Sequence, residues 1–241
     1  MNQPHNFIDI HCHILPGLDD GPKTVEGSLA IARCYENLGI KKVIATPHFL
    51  PGTAWSPTRE GVVESVQKLQ KHLDKEGLRL KIEPGMEIAY HKKMAARIVA
   101  GCLLPLGRSD YYLIEPAFHG DQDGMLEDLA SLLKSGVHII LAHPERIDQF
   151  QHKPDLLASL AKQGMLIQVN SGSMLGFFGR KSMETAAYLA KRGLLHIFAS
   201  DAHNHDTRPP FTIEEWGTLV SSIGGKNLSS CMQLLDDLFT N

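Results

Sequence analysis

Short apolar runs alternate with helical patterns along the length of this chain, and that alternation is what most limits its fold. The runs are Phe7–Ile10, Lys42–Ala45, Leu80–Glu83, Tyr111–Glu115, His138–Ala142, Leu166–Asn170 and His196–Ser200. Each is rich in Ile, Val, Leu or Tyr, as strands of a buried parallel sheet are. Between them, Val62, Val66, Leu69 and Leu73 recur at helical spacing. So do Leu126, Leu129 and Leu133, and Leu156, Leu157, Leu160 and Ala161. Gly39, Gly77, Gly136, Gly164 and Gly193 fall where those helices should stop. Seven strand-then-helix units with no linker between them predict one barrel-like α/β domain over residues 1–241. Beyond Asn204 the tail is Pro-rich at Arg208-Pro209-Pro210, then helical from about Ile213 onward.

The totals exclude several classes of function. At 43% apolar and 21% charged, the 241 residues can fill an ordinary core. Net charge is −3, so no basic field attracts nucleic acid. The apolar runs are far too short to cross a bilayer. Met1-Asn2-Gln3-Pro4-His5 carries neither a basic nor an apolar leader region. The expectation is a cytoplasmic protein without membrane insertion. Cys12, Cys34, Cys102 and Cys231 form no CxxC pair and read as free thiols. Thirteen histidines are the anomaly of the composition.

Six of the seven runs deliver a His, Asp or Glu at or just past their C-terminal ends. The first leads into His11 and His13, the second into His48, the third into Glu87 and the fourth into Glu115. The fifth leads into His143 and Arg146, the seventh into Asp201 and His203. In parallel barrels that rim is where active sites are built. On an extended chain, side chains two apart share a face, so His11 and His13 can grip one ion, and Asp201 with His203 repeats the geometry. Asp20 follows in the turn after His13. Imidazole with carboxylate suits Mn, Fe or Zn. Nine candidate ligands exceed the needs of one ion, so two or three ions are expected. Clustered divalent ions clamp a phosphate and acidify water. Arg146 and Arg208 are the candidate anion clamps, because guanidinium binds phosphate through paired N–H groups. Cys12 lies between two candidate ligands and should point to the opposite face, into the core. Asp19 reads as a cap or turn residue. His5, His72, His91, His119, His138, His152, His196 and His205 are read as surface or satisfied core residues.

Taken in order, "DIHCH", "TPHF", "GMEI", "LIEP", "AHPER", "QVNSGS" and "ASDAHN…RPP" resemble the polymerase-and-histidinol-phosphatase (PHP) superfamily. They are most similar to its manganese-dependent protein-tyrosine phosphatases of capsule and exopolysaccharide operons, the CpsB/YwqE type. The resemblance implies a distorted, TIM-like (β/α)7 barrel with three metals. One would take His11, His13 and Asp201, with Glu87 bridging; a second Glu87, Glu115 and His143; a third Asp20, His48 and His203. It implies Mn2+ as the cofactor, with Arg146 and Arg208 on the phosphate. It also implies a phosphotyrosine protein as partner, namely the tail of a bacterial tyrosine kinase that controls polysaccharide export. One segment departs from the family pattern. After His48 the loop reads "FLPGTAWSPTRE", apolar until Arg59, and Trp55 either covers the site, meets a partner or anchors the loop.

Three enzyme rivals and one non-enzyme remain, of which a nuclease of the same superfamily is disfavoured by the absence of a basic surface in the totals. Histidinol-phosphate phosphatases share the metal motifs but take a small cationic ester. "CLLPLGR", Cys102 to Arg108, fits the C-x5-R pattern of cysteine-dependent phosphatases. That chemistry needs a cradle of backbone N–H groups, and Pro105 has none to give. A non-catalytic metal-binding regulator would predict eroded ligands, and every expected ligand type is present.

Overall fold

The computed structural model describes residues 4, 6–117 and 123–240. His5 and His119 therefore lie outside the described residues. The strands are β1 (Ile8–Cys12), β2 (Lys42–Ala45), β3 (His48–Phe49), β4 (Lys81–Pro84), β5 (Glu87–Ala89), β6 (Tyr111–Glu115), β7 (His138–Ala142), β8 (Leu166–Asn170) and β9 (Ile197–Ala199). All pairings are parallel, in the orders β1-β2-β4 and β3-β5-β6-β7-β8-β9. The two sheets are one distorted barrel. Asp201 N–H donates to His11 O at 2.9 Å and His13 N–H to Ala202 O at 2.8 Å, which closes the first strand onto the last.

Seven runs are expected and nine strands are found among the described residues because two staves are broken. The second breaks at Thr46-Pro47, where proline has no N–H for the ladder. The third breaks at Gly85-Met86. A Cβ on Gly85 would lie 3.0 Å from both Ile44 Cγ2 and Leu106 Cδ2, so the chain passes too close there for a side chain. Hydrogen bonds continue across both breaks, Gly85 N–H to Ala45 O at 2.9 Å and Glu87 N–H to Pro47 O at 3.1 Å. The short continuations β3 and β5 re-aim the rim and begin with His48 and Glu87.

Of the three predicted stripes one is fully buried, while Leu126, Leu133, Leu156 and Ala161 of the other two are half-buried beside buried Leu129, Leu157 and Leu160. In α1 (Val25–Asn37) Leu29, Ile31, Ala32 and Tyr35 are buried, and Thr24 caps the start by accepting from Gly27 N–H. In α2 (Arg59–Lys75) the buried set is Val62, Val66, Leu69 and Leu73, each contributing about 1.5–3 kcal/mol. The five glycines read as helix stops all take left-handed φ. The tail is helical as read but in two pieces, α9 (Ile213–Ile223) and α10 (Gly225–Phe239), parted at Gly224 with φ 80°. Phe7 stacks on Phe198 at 4.7 Å, and Phe211 and Trp216 close around it, fastening α9 near the seam. No helix among the described residues is long and apolar enough to cross a membrane.

His196, just before β9, gives the fold a pH dependence. Burial lowers its imidazole below the ordinary value of 6.5, and its Nδ1 accepts from Ile167 N–H at 3.0 Å. The unfolded chain therefore binds this proton first. The contribution to stability is complete above the unfolded value and is lost as pH falls toward the folded one. Replacing His196 by Gln is expected to flatten the drop in melting temperature between about pH 7 and pH 5. A variant profile parallel to the parent's refutes the assignment.

Candidate metal centre

The nine sequence-predicted ligands are brought together at the C-terminal rim. Their donor atoms fall into four overlapping sets, within each of which the atoms lie within 4.8 Å of one another. The sets are His13, Asp20, His48 and His203; His11, Glu87 and His143; His11, His13 and Asp201; and His48, Glu87 and Glu115. Glu87 is the hub. Its carboxylate oxygens lie 3.2 Å from His11 Nε2, 3.2 Å from His13 Nε2, 2.9 Å from His48 Nδ1 and 2.9 Å from His143 Nε2. Asp20 Oδ1 faces His203 Nε2 at 3.3 Å and His48 Nε2 at 3.5 Å. His11, His13, Glu87, His143, Asp201 and His203 are buried, while Asp20 lies on the exposed edge.

A chain of hydrogen bonds decides which nitrogen of His11 faces the cluster. Asp201 Oδ2 accepts from Asn170 Nδ2 at 2.7 Å, which turns the Asn170 oxygen toward Gln168 Nε2 at 2.8 Å. Gln168 Oε1 is left 3.0 Å from His11 Nδ1. An amide oxygen only accepts, so Nδ1 carries the proton and Nε2 presents a lone pair. Asp19 Oδ2 does the same for His13, taking its Nδ1–H at 2.7 Å. The two Nε2 atoms then stand 3.3 Å apart with carboxylate oxygens around them. Lone pairs in that arrangement repel unless a cation lies among them. His203 Nε2 and Glu87 Oε2 are likewise buried, and their close contacts to Asp20 and to His48 and His13 lack hydrogen-bond geometry among the described residues.

Charge gives the same picture. Burial pushes Asp201, Glu87 and Asp20 up, but the neighbouring imidazoles outweigh it and hold all three below the ordinary carboxylate range. Glu115 goes the other way, to about 8, through burial and then the charge of Glu87. Burial pulls His48 down, yet Glu87 lifts it to about 9, and the same carboxylate with Asp201 raises His11. The carboxylates thus hold protons on imidazoles that metal ions would replace. The donor set fits divalent ions: borderline nitrogens, hard oxygens, no thiolate.

The two candidate clamps converge on the same carboxylate. Arg146 Nη1 lies 3.0 Å and Arg208 Nη2 2.8 Å from Asp201 Oδ2, while Asp201 Oδ1 faces the imidazoles. Backbone strain marks the place. His143 at φ 30° and Asp201 at φ 55° are the non-glycine residues with left-handed φ among those described.

Other expectations resolve as follows. Cys12 is buried in the core. Trp55 covers His48, with ring centroids 5.5 Å apart and planes 11° from parallel. Cys102 is exposed, and its C-x5-R segment is a core anchor, with Leu103, Leu104 and Leu106 buried. The histidines set aside as surface or core residues join none of the four sets among the described residues. Asp19 is a turn residue as read, accepting from Gly21 N–H at 2.9 Å, but sequence reasoning missed its bond to His13 and the roles of Gln168 and Asn170.

Comparison with known proteins agrees with this geometry. Residues 7–233 match the family model for capsular polysaccharide synthesis, CpsB/CapC. Tyrosine-protein phosphatase YwqE of Bacillus subtilis is 35% identical over 91% of this chain and 86% of its own. Tyrosine-protein phosphatase CpsB of Streptococcus pneumoniae is 30% identical over 91% of this chain and 92% of its own. A crystal structure from work on these two, called unique metal-dependent tyrosine phosphatases, superposes with a TM-score of 0.90 at 34% identity, covering 98% of this chain and 95% of that one. A histidinol phosphate phosphatase of Lactococcus lactis shares the fold, with a TM-score of 0.59 at 16% identity over 90% of this chain and 93% of its own.

Proposed function

The chain belongs to the CpsB/CapC family of capsular polysaccharide synthesis, and on that premise we propose that it is a metal-dependent protein-tyrosine phosphatase. The observation that carries the reading is the double-faced Asp201, with imidazoles on one oxygen and two guanidinium groups on the other. A phosphate monoester is a dianion that needs both kinds of partner at once. The substrate is a phosphotyrosine protein, the tail of a bacterial tyrosine kinase, and the setting is cytoplasmic.

His11, His13 and Asp201 would hold one ion, Glu87, Glu115 and His143 a second, and Asp20, His48 and His203 a third, with Glu87 bridging the first two. Two or three Mn2+ ions fit this donor set best, with Fe or Zn as alternatives. When bound, such ions supply Lewis acidity that offsets phosphoryl charge and acidifies water. The chain does the rest. Gln168 and Asp19 keep the His11 and His13 lone pairs turned inward. Arg146 and Arg208 bind the phosphoryl oxygens and steady the charge that builds up during transfer. Arg208 brings a buried Nε–H that has no acceptor among the described residues, a donor that a phosphoryl oxygen would satisfy. The leaving phenolate has a pKa near 10, so its protonation helps without being obligatory.

Hydrolysis of a phosphotyrosine peptide and of histidinol phosphate, side by side after metal stripping and again with Mn2+ restored, tests the proposal. The expected result is no turnover when stripped and recovery on the peptide with Mn2+, with histidinol phosphate the poorer substrate. Preference for histidinol phosphate moves the function to that branch. Full activity after stripping sinks the metal reading, and metal uptake without turnover of either ester favours a non-catalytic regulator.

A further inference from the structure

Phe178 lies under Arg146 and within cation–π range of Arg208, and the local chain geometry fixes it there. After β8 comes the short helix α7 (Ser171–Met174), then a turn through Gly176 and Gly179 at φ 85° and 86° that returns the chain over α7. Phe177 N–H donates to Gly172 O at 2.8 Å and fixes the return. A Cβ on Gly172 would lie 2.8 Å from Phe178 Cε2, so only glycine leaves the ring its seat. The seated ring has the Arg146 guanidinium carbon 4.2 Å from its centroid and that of Arg208 at 5.9 Å. The two arginines come from different elements, the turn Pro144–Arg146 after β7 and the loop after β9. Glu145, next to Arg146, accepts from Asn170 N–H at 3.0 Å and from Ser173 Oγ–H at 2.6 Å, which ties the arginine's turn to the end of β8 and to α7, the segment that leads into the ring's turn. Two guanidinium groups on one carboxylate oxygen repel each other. An aromatic face attracts such cations and keeps their planes flat against it.

We propose that Phe178 is a positioning residue whose ring, seated on Gly172, holds Arg146 and Arg208 in the geometry that grips the phosphoryl group. The proposal rests on reading the two arginines as phosphate clamps.

Inorganic phosphate, used as a competitive inhibitor of the metal-loaded phosphatase, reads the grip directly. Phe178→Leu is expected to raise its inhibition constant about 10-fold, with bound Mn2+ unchanged. Gly172→Ala should do the same by unseating the ring, and it serves as the test if the Leu variant does not fold. Phe178→Tyr keeps an aromatic face and should restore the parent constant. An unchanged constant in Phe178→Leu and Gly172→Ala, or a Tyr variant as weak as the Leu one, overturns the proposal. Arg146→Met and Arg208→Met separate the two levels. If they raise the constant and the Phe178 and Gly172 variants do not, only the role of Phe178 falls; if they too leave it unchanged, the clamp reading falls with it.

Discussion

Replacing Glu87 by Gln is expected to cut kcat/KM on a phosphotyrosine peptide by ~10³-fold or more, since metal clusters supply several kcal/mol of transition-state stabilisation and each 1.36 kcal/mol is tenfold. The substitution is nearly isosteric, so the barrel should fold. It removes one negative charge from the centre of four imidazoles and puts an N–H2 group against nitrogens that present lone pairs. Metal content should fall with activity, because Glu87 belongs to two of the four donor sets. Elemental analysis beside kinetics checks this. Full metal occupancy with turnover within threefold of the parent would remove Glu87 from its bridging role.

Arg208→Met carries the second largest expected effect, about 10²–10³-fold in kcat/KM, the cost of one preorganised donor to a developing oxyanion. Bound metal should stay, because among the described residues the Arg208 guanidinium meets the centre through Asp201 Oδ2 and the Asp201 main-chain oxygen, while the bond from His203 N–H to Arg208 O belongs to the main chain and survives the substitution. Lys should rescue little, since it lacks the planar fork that reaches Asp201 and a phosphoryl oxygen together. With Arg146→Met added, the loss should fall short of the product of the single losses, because both groups act on one ligand. A loss explained wholly by lost metal would mean that Arg208 serves the centre's assembly and not the substrate.

The staves of the barrel were legible because five-residue apolar runs between helical stripes have few other uses. The breaks in the second and third staves were not. Strands as short as His48–Phe49 and Glu87–Ala89 carry no periodicity, and their cause is local: a missing N–H at Pro47 and close packing at Gly85. Eight of the nine proposed ligands could be picked out because imidazole and carboxylate recur at or just past the ends of six of the seven runs, and Asp20 follows in the turn after His13. Their supports could not. Asp19 sits beside Asp20 with the same residue type, and only the fold tells the carboxylate that bonds the His13 ring from the one that faces His48 and His203. Gln168 and Asn170 did leave a trace. The one run without an acid or imidazole at its end has two amides spaced two apart, an odd choice for a buried strand unless they bond something inside the barrel.

The seam between β1 and β9 sets an order on how the protein comes alive as it is made. His11, His13, Asp20, His48, Glu87, Glu115 and His143 are all translated before the last stave exists. Asp201, His203 and Arg208 arrive together on the segment whose main chain closes the ring against His11 and His13. At ordinary translation speed the gap from His143 to Asp201 lasts on the order of seconds. Through that interval the nascent chain has neither Asp201, the carboxylate that faces imidazoles on one oxygen and guanidinium groups on the other, nor Arg208. If Asp201 and Arg208 act as proposed, a half-made molecule is expected to be silent toward phosphoproteins on the ribosome, with competence arriving at closure.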